Sequence, residues 1–403
     1  MRKTPFFSRQ LALCESMHWK SWAGAYAVAS YLIHCDAEYH AIRHAAGLLD
    51  VSPLFKYRMR GPDAASCLAR IMVRDIQRLP VGRVAYCCWC DDHGKVIDDG
   101  TVMRRGEDDF FITSADPCFS WFSRFVGNQR VVLEDVTERI AALAIQGPYS
   151  RAVLQEVCDA DLSGLRFFRT TEGYVAGARV WISRTGYTGD LGYEIWMDDT
   201  HALAVWDALM AAGEAYALRP AGLDALDMCR IESGLILKDV DYYNALHALV
   251  DHRTSSPFEL SLGWTVELDR EQFCGQTALQ REKTHGAPWS LVGLDIDWEE
   301  TERLYARYGL PPEVPTQAWR TSVPLYRDRD RQCQIGYATS GTWSPILKKN
   351  IALATVRTGY ARPGTQTRIE MTVEHTRHAV AATICAPRFF NPKRKTAVQG
   401  RAA

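Results

Sequence analysis

Two short stretches of this chain combine residue types and spacings that suit chemistry. The first is Arg184-Thr185-Gly186-Tyr187-Thr188-Gly189-Asp190-Leu191-Gly192-Tyr193-Glu194. Gly186, Gly189 and Gly192 recur at every third position, which permits tight bends that bring the main chain close to a flat ligand. Glu194 stands two residues past the last of them, on a predicted strand, so the turn holds one acid rigidly. A carboxylate presents two acceptor oxygens side by side and matches a ligand with two parallel N–H donors. Tyr187, in the same loop, offers a ring to stack on such a ligand. The second stretch is Gly94-Lys95-Val96-Ile97-Asp98-Asp99-Gly100-Thr101-Val102, two adjacent acids inside an apolar strand. Neighbours on a strand point to opposite faces. One of the two is expected to face a cavity, where burial raises its pKa and suits it to proton handling. Spacing alone also allows blander readings: a surface glutamate on an edge strand, and two exposed acids at a hairpin edge.

The elements that must position these acids alternate along the chain. A helix is expected from about Glu38 into Asp50, with Gly47 as its terminator. Strand patterns follow at Leu54–Arg60, Tyr86–Cys90, Lys95–Arg104 and Asp109–Ser114, with a helix from Pro62-Asp63 to about Val73. Val180–Arg184 and Gly192–Met197 read as a hairpin around the glycine loop, followed by amphipathic helices at Thr200–Ala212 and Gly222–Ser233. Strands interleaved with helices argue for an α+β class. The polar, turn-rich run at 282–290 marks a boundary. Beyond it, short strands at Leu291–Asp297, Val323–Tyr326, Cys333–Ser340, Ala352–Val356 and Arg368–Glu374 predict a small barrel or sandwich. The expected organisation is thus 1–282, 283–390 and a basic tail at 391–403, read as a solvated end.

Bulk properties exclude several functions. The chain has 403 residues, 47% hydrophobic and 24% charged, with a net charge of −1. Such a balance offers no global field for nucleic acid or an anionic membrane. Neither a membrane-spanning run nor a signal-peptide core is expected, and the predicted location is cytoplasmic. Twelve cysteines are scattered through the sequence, so reduced thiols are expected. Cys87-Cys88-Trp89-Cys90 has no second paired cluster at metal-binding spacing, and no metal site is predicted.

The glycine-rich stretch closely resembles the RTGYTGExGxE signature of the glycine-cleavage T-protein family. Further similarity runs through Arg43-His44-Ala45-Ala46-Gly47-Leu48-Leu49-Asp50, the Val96-Ile97-Asp98-Asp99 step, Ser256-Pro257-Phe258-Glu259 and Thr339-Ser340-Gly341-Thr342-Trp343-Ser344-Pro345. The resemblance implies a multi-domain folate-binding fold with a C-terminal barrel, and tetrahydrofolate as cofactor. It implies that Glu194 pairs with the pterin, with Tyr187 and Arg184 in the same loop. It also places an aspartate beside the reactive nitrogens of folate. Counting from Tyr86, itself a folate-site candidate, favours Asp99, with Asp98 the alternative. Thr113 and Phe168 fall where the family has an asparagine and an aromatic lining the site.

Within that family the one-carbon donor is open. The family's Ala-Arg-Asp step is Ala225-Leu226-Asp227 here, the segment from Tyr242 to Ser255 is long, and the N-terminus is rich in aromatics. These departures resemble the tetrahydrofolate-dependent aromatic O-demethylases, which share the Asp239-Val240-Asp241-Tyr242 segment. The expectation is therefore a demethylase that moves a methyl from a small methoxylated aromatic to N5 of tetrahydrofolate. In that scheme Tyr242 and Asp99 are catalytic, Tyr242 donating to the leaving oxygen and Asp99 holding N5. His18, Trp22, Tyr26, Tyr31 and Tyr243 are the expected donor-binding residues, the N-terminal ones together with Trp19 and Tyr39 as a lid over a flat substrate and Tyr243 as the substitute for Tyr242. The alternative is an aminomethyltransferase, which needs a lipoylated carrier protein as partner. A non-enzymatic iron–sulfur maintenance role is disfavoured, because Lys238-Asp239-Val240-Asp241 stands where that branch carries a Lys-Gly-Cys motif.

Overall fold

In the computed structural model, residues 1–250 and 253–398 are described. The glycine-loop strands Ala178–Ser183 and Gly192–Asp198 are antiparallel neighbours in a six-stranded sheet. Its order is Thr170–Val175, Ala178–Ser183, Gly192–Asp198, Ile140–Gln146, Ala46–Asp50, Leu218–Pro220. One face packs on Val153, Leu154, Val205, Trp206 and Leu209 of the helices Ser150–Val157 and Ala202–Gly213. The acid pair lies in a second sheet of five strands, ordered Val84–Cys90, Val96–Gly106, Asp109–Ser114, Phe55–Arg60, Val132–Asp135. The helix Ala64–Ile71 covers that sheet through Cys67, Leu68 and Ile71, in one apolar cluster with Cys87, Trp89 and Ile97. Cys87, Cys88 and Cys90 are all buried on their strand.

A closed six-stranded barrel follows, in the order Trp289–Ile296, Lys349–Arg357, Gln334–Ser344, Val323–Tyr326, Gln366–Val373, Thr376–Cys385. Closure removes every sheet edge. The fold is α+β with a C-terminal barrel.

Three local expectations change. The helix Asp36–His44 ends early, and Ala46–Asp50 is a strand. Gly47 and Leu48 sit between two partner strands, so tertiary pairing overrides helical periodicity there. The tail is docked: Arg394 pairs with Asp190, and Arg184 holds the carbonyls of Arg394, Lys395 and Ala397. Residues 399–403 of that tail, and 251–252 of the Tyr242–Ser255 segment, lie outside the described residues. Finally, Trp19, Tyr26 and Tyr31 do not form a lid. Trp19 and Tyr26 pack with Phe7, at ring separations of 5.1 and 5.6 Å. Tyr31 is buried with Cys14 and Val28. Among the described residues no helix is long and apolar enough to cross a membrane.

Candidate functional site

The strand Val96–Gly106 places the two acids in different surroundings. Asp98 turns into the protein and is fully buried. Its Oδ2 accepts from the backbone N–H groups of Ala115 at 2.9 Å and Asp116 at 2.8 Å, and its Oδ1 from Asp99 N–H at 2.9 Å. It shapes the turn after Asp109–Ser114. Asp99 turns to the other face and is half-buried. Tyr86 donates to its Oδ2 at 2.8 Å, and Tyr242 donates to its Oδ1. Burial raises the Asp99 pKa, while the two phenols oppose the rise. Burial and the neighbouring acids keep both phenols protonated well above their usual range. Tyr242 also lies 3.1 Å from Asp98, so its hydroxyl sits between two carboxylates.

Tyr242 arrives from a separate segment clamped through Asp241, which accepts from Thr339 Oγ1. Asp241 accepts from Leu237 N–H at 2.8 Å and from Ser340 Oγ of the barrel at 3.1 Å. It also forms a buried ion pair with Arg230. Arg230 pairs with Asp227 as well, at 2.7 Å, and Arg320 takes the other Asp227 oxygen at 2.7 Å. Burial pushes the Asp227 carboxyl up, but the two guanidinium groups hold it below its ordinary value. Glu232, on the same helix, binds Arg43 and Tyr39. Tyr243 points elsewhere, against Arg253.

The glycine loop supplies the third carboxylate. Gly189 has φ of +73°, and a Cβ there would fall 1.9 Å from Ser233 Oγ, so only glycine fits. Glu194 Oε2 accepts from Thr185 at 2.5 Å and Ser183 at 3.4 Å. Its Oε1 accepts no hydrogen bond among the described residues. Burial raises the Glu194 pKa. Tyr187 donates to Ile236 O and lies within electrostatic reach of Asp99 and Arg230. The Phe168 backbone joins the two halves: its N–H donates to Arg184 O at 3.0 Å, and its C=O accepts from Val84 N–H at 3.1 Å. Its ring packs in the same apolar cluster as Tyr187 and Trp22.

Other expected site residues are placed differently. Arg184 is turned into the tail and is 1% exposed, so it shapes the loop from behind. Thr113 is buried, with its hydroxyl 2.8 Å from that of Thr101. His18 is exposed on the first hairpin. Sequence reasoning missed Arg320, Asp241 and Trp264. Asp227 and Arg230 carried a readable signal, the i,i+3 helical spacing. Trp264 stacks on Tyr86 at 6.1 Å, although nothing in its local pattern marks it.

Residues 12–270 match the GCVT N-terminal domain, and residues 307–391 match the glycine cleavage T-protein C-terminal barrel domain. The chain belongs to the glycine cleavage T-protein family. It is 36% identical over 369 residues to an aminomethyltransferase of Halothermothrix orenii, covering 90% of this chain and 94% of that one. It is 37% identical over 370 residues to a trimethylamine-oxide aldolase of Ruegeria pomeroyi, covering 89% of this chain but 43% of that one. The fold is shared with the glycine cleavage aminomethyltransferase T of Bartonella henselae, with a TM-score of 0.81 over 97% of this chain and 98% of that one at 22% identity.

Members of the family take tetrahydrofolate, and this T-protein homologue is a tetrahydrofolate-dependent transferase. The residues present fit that cofactor. Glu194 Oε2 is held in place by Thr185 and Ser183, and Oε1 accepts nothing among the described residues, so it is open to a pterin N–H donor. Arg230 Nη2 is buried without a partner near Tyr187, an unmet donor inside the site.

The demethylase expectation is overturned. Relatives 32–36% identical over 83–92% of the chain are aminomethyltransferases. The features that had favoured a methyl donor have structural explanations. Leu226 is buried in a core cluster with Tyr39, Ile42 and Trp196. Trp19 and Tyr26 pack on Phe7, and Tyr242 is committed to Asp99.

Proposed function

We propose that this chain is an aminomethyltransferase. It takes the methylene carbon of an aminomethyl group borne on the lipoyl arm of a carrier protein, passes it to tetrahydrofolate, and releases the nitrogen as ammonia. The observation that carries this reading is the full-length similarity to aminomethyltransferases, 36% identity over 90% of this chain and 94% of the relative.

Tetrahydrofolate supplies the nucleophilic nitrogens that receive the one-carbon unit. Glu194 accepts hydrogen bonds from the pyrimidine edge of the pterin, and Tyr187 and Phe168 line its faces. Asp99 takes the proton at N5. Its two oxygens are held by Tyr86 and Tyr242, so the acceptor is fixed before the donor arrives, and alignment lowers the barrier. Tyr242 acts as a positioning residue through Asp99.

Carrier protein charged with an aminomethyl group, mixed with tetrahydrofolate and this enzyme, is expected to yield ammonia and methylenetetrahydrofolate in equal amounts. No ammonia from a charged carrier that an established aminomethyltransferase discharges would rule the reading out.

A further inference from the structure

Beyond Glu194, on the same strand pair, lies a second cleft of about 370 Å³. Glu194 and Trp196 are alternate residues of Gly192–Asp198 and share one face, opposite Ser183 and Trp181. Trp181, Trp196 and Phe111 wall the cleft, and Met103 and Arg105 close it from the other sheet. Trp196 Nε1 donates to Ser183 Oγ at 3.3 Å, and Ser183 donates to Glu194. The floor of the cleft is therefore one hydroxyl away from the cofactor carboxylate.

Three arginines reach this space, and two of them are neutralised. Arg58 makes two bonds of 2.8 Å to Asp109, and Arg179 is paired with Glu172. Arg105 is different. Its guanidinium lies over the Trp181 ring, its Nε is buried without a hydrogen-bond partner, and no ion pair among the described residues includes it. Burial lowers its pKa to about 9, and the nearby Asp109 and Glu172, each already paired with another arginine, offset that only in part. Asp198, at the rim, is bonded to Thr200.

A planar cation among aromatic walls calls for a planar anion. Carboxylates match guanidinium groups bidentately, flat rings stack on indoles, and the volume falls within the range of small-molecule sites. We propose that the cleft between Trp181, Trp196 and Arg105 binds a small aromatic carboxylate, its ring against the indoles and its carboxylate on Arg105. The site is distinct from that of the cofactor. Glu194 is not among the residues that line the cleft.

Benzoate is the probe, titrated into the full chain saturated with folate and followed by calorimetry and ligand-observed NMR. Saturable binding at one site is expected. Benzamide, the uncharged isostere, should bind at least about tenfold more weakly, and Arg105→Gln should weaken benzoate by a similar factor. The proposal is overturned by absence of saturable binding, by equal binding of benzamide, by unchanged affinity in Arg105→Gln, or by failure of benzoate to bind until folate is removed. The benzamide comparison uses the unaltered chain, so it decides even where the variant folds poorly.

Discussion

Tyr86 donates to Asp99 Oδ2 at 2.8 Å across two adjacent antiparallel strands. The register pairs Tyr86 with Thr101 and Cys88 with Asp99, so the two side chains are diagonal neighbours on one face. Tyr242 then reaches the other oxygen from 143 residues away. With both oxygens held, the carboxylate keeps one orientation and still has lone pairs for a ligand.

Asp99→Asn should lower kcat by about 10²–10⁴-fold, the usual worth of a positioned acid–base group. Folate affinity, measured by equilibrium titration, should change little because Glu194 is untouched. Turnover equal to the parent enzyme would remove Asp99 from the reaction.

The pH dependence follows from the same group. Burial raises the Asp99 pKa, and the phenols lower it. The acid limb of kcat/KM should therefore lie above the ordinary aspartate value of about 3.9. Tyr242→Phe removes a bond to the ionised form, so the limb should move to still higher pH, with folate binding retained. A limb that stays in place or moves down contradicts the positioning role.

Glu194→Ala should weaken folate by roughly 2–3 kcal/mol through loss of a charge-assisted pair. In the parent enzyme the carboxylate form is needed, and burial raises its pKa. Folate affinity should consequently fall as the pH drops through that raised value. Calorimetric titrations at several pH values test both statements, and an affinity indifferent to the alanine would assign the pterin contact elsewhere.

Arg394→Ala should cost about 1–3 kcal/mol of stability. It leaves Asp190, whose side chain is 0% exposed, with the Leu191 N–H at 2.7 Å and, as its remaining charged partner, the Arg43 guanidinium at 3.7 Å. Urea midpoints would register the loss, and truncation after Asn391 should cost more because Arg184 then loses three carbonyl acceptors. Unchanged midpoints would return the tail to the status of a solvated end.

The parts of this protein that were legible in its sequence are the local ones. Gly189 needs a left-handed backbone, and three glycines followed by Glu194 specify a turn that carries an acid within eleven residues. The strands Asp109–Ser114 and Val323–Tyr326 and the acid-bearing Val96–Gly106 show themselves by period and β-propensity. A similar pattern over Ala46–Asp50 misled, because long-range partners decide whether an apolar run becomes strand or helix. Tertiary structure alone gave the two acids different partners. Asp98 and Asp99 are chemically identical neighbours, and the backbone N–H groups of Ala115 and Asp116, distant in sequence, bind one of them and not the other. Arg184 reads as a ligand-loop residue until the tail folds back on it, and the aromatic N-terminus reads as a lid until Phe7 fills its centre. Contacts between residues far apart in sequence leave no local period, so the chain determined its acids and its turns, and packing determined what each of them touches.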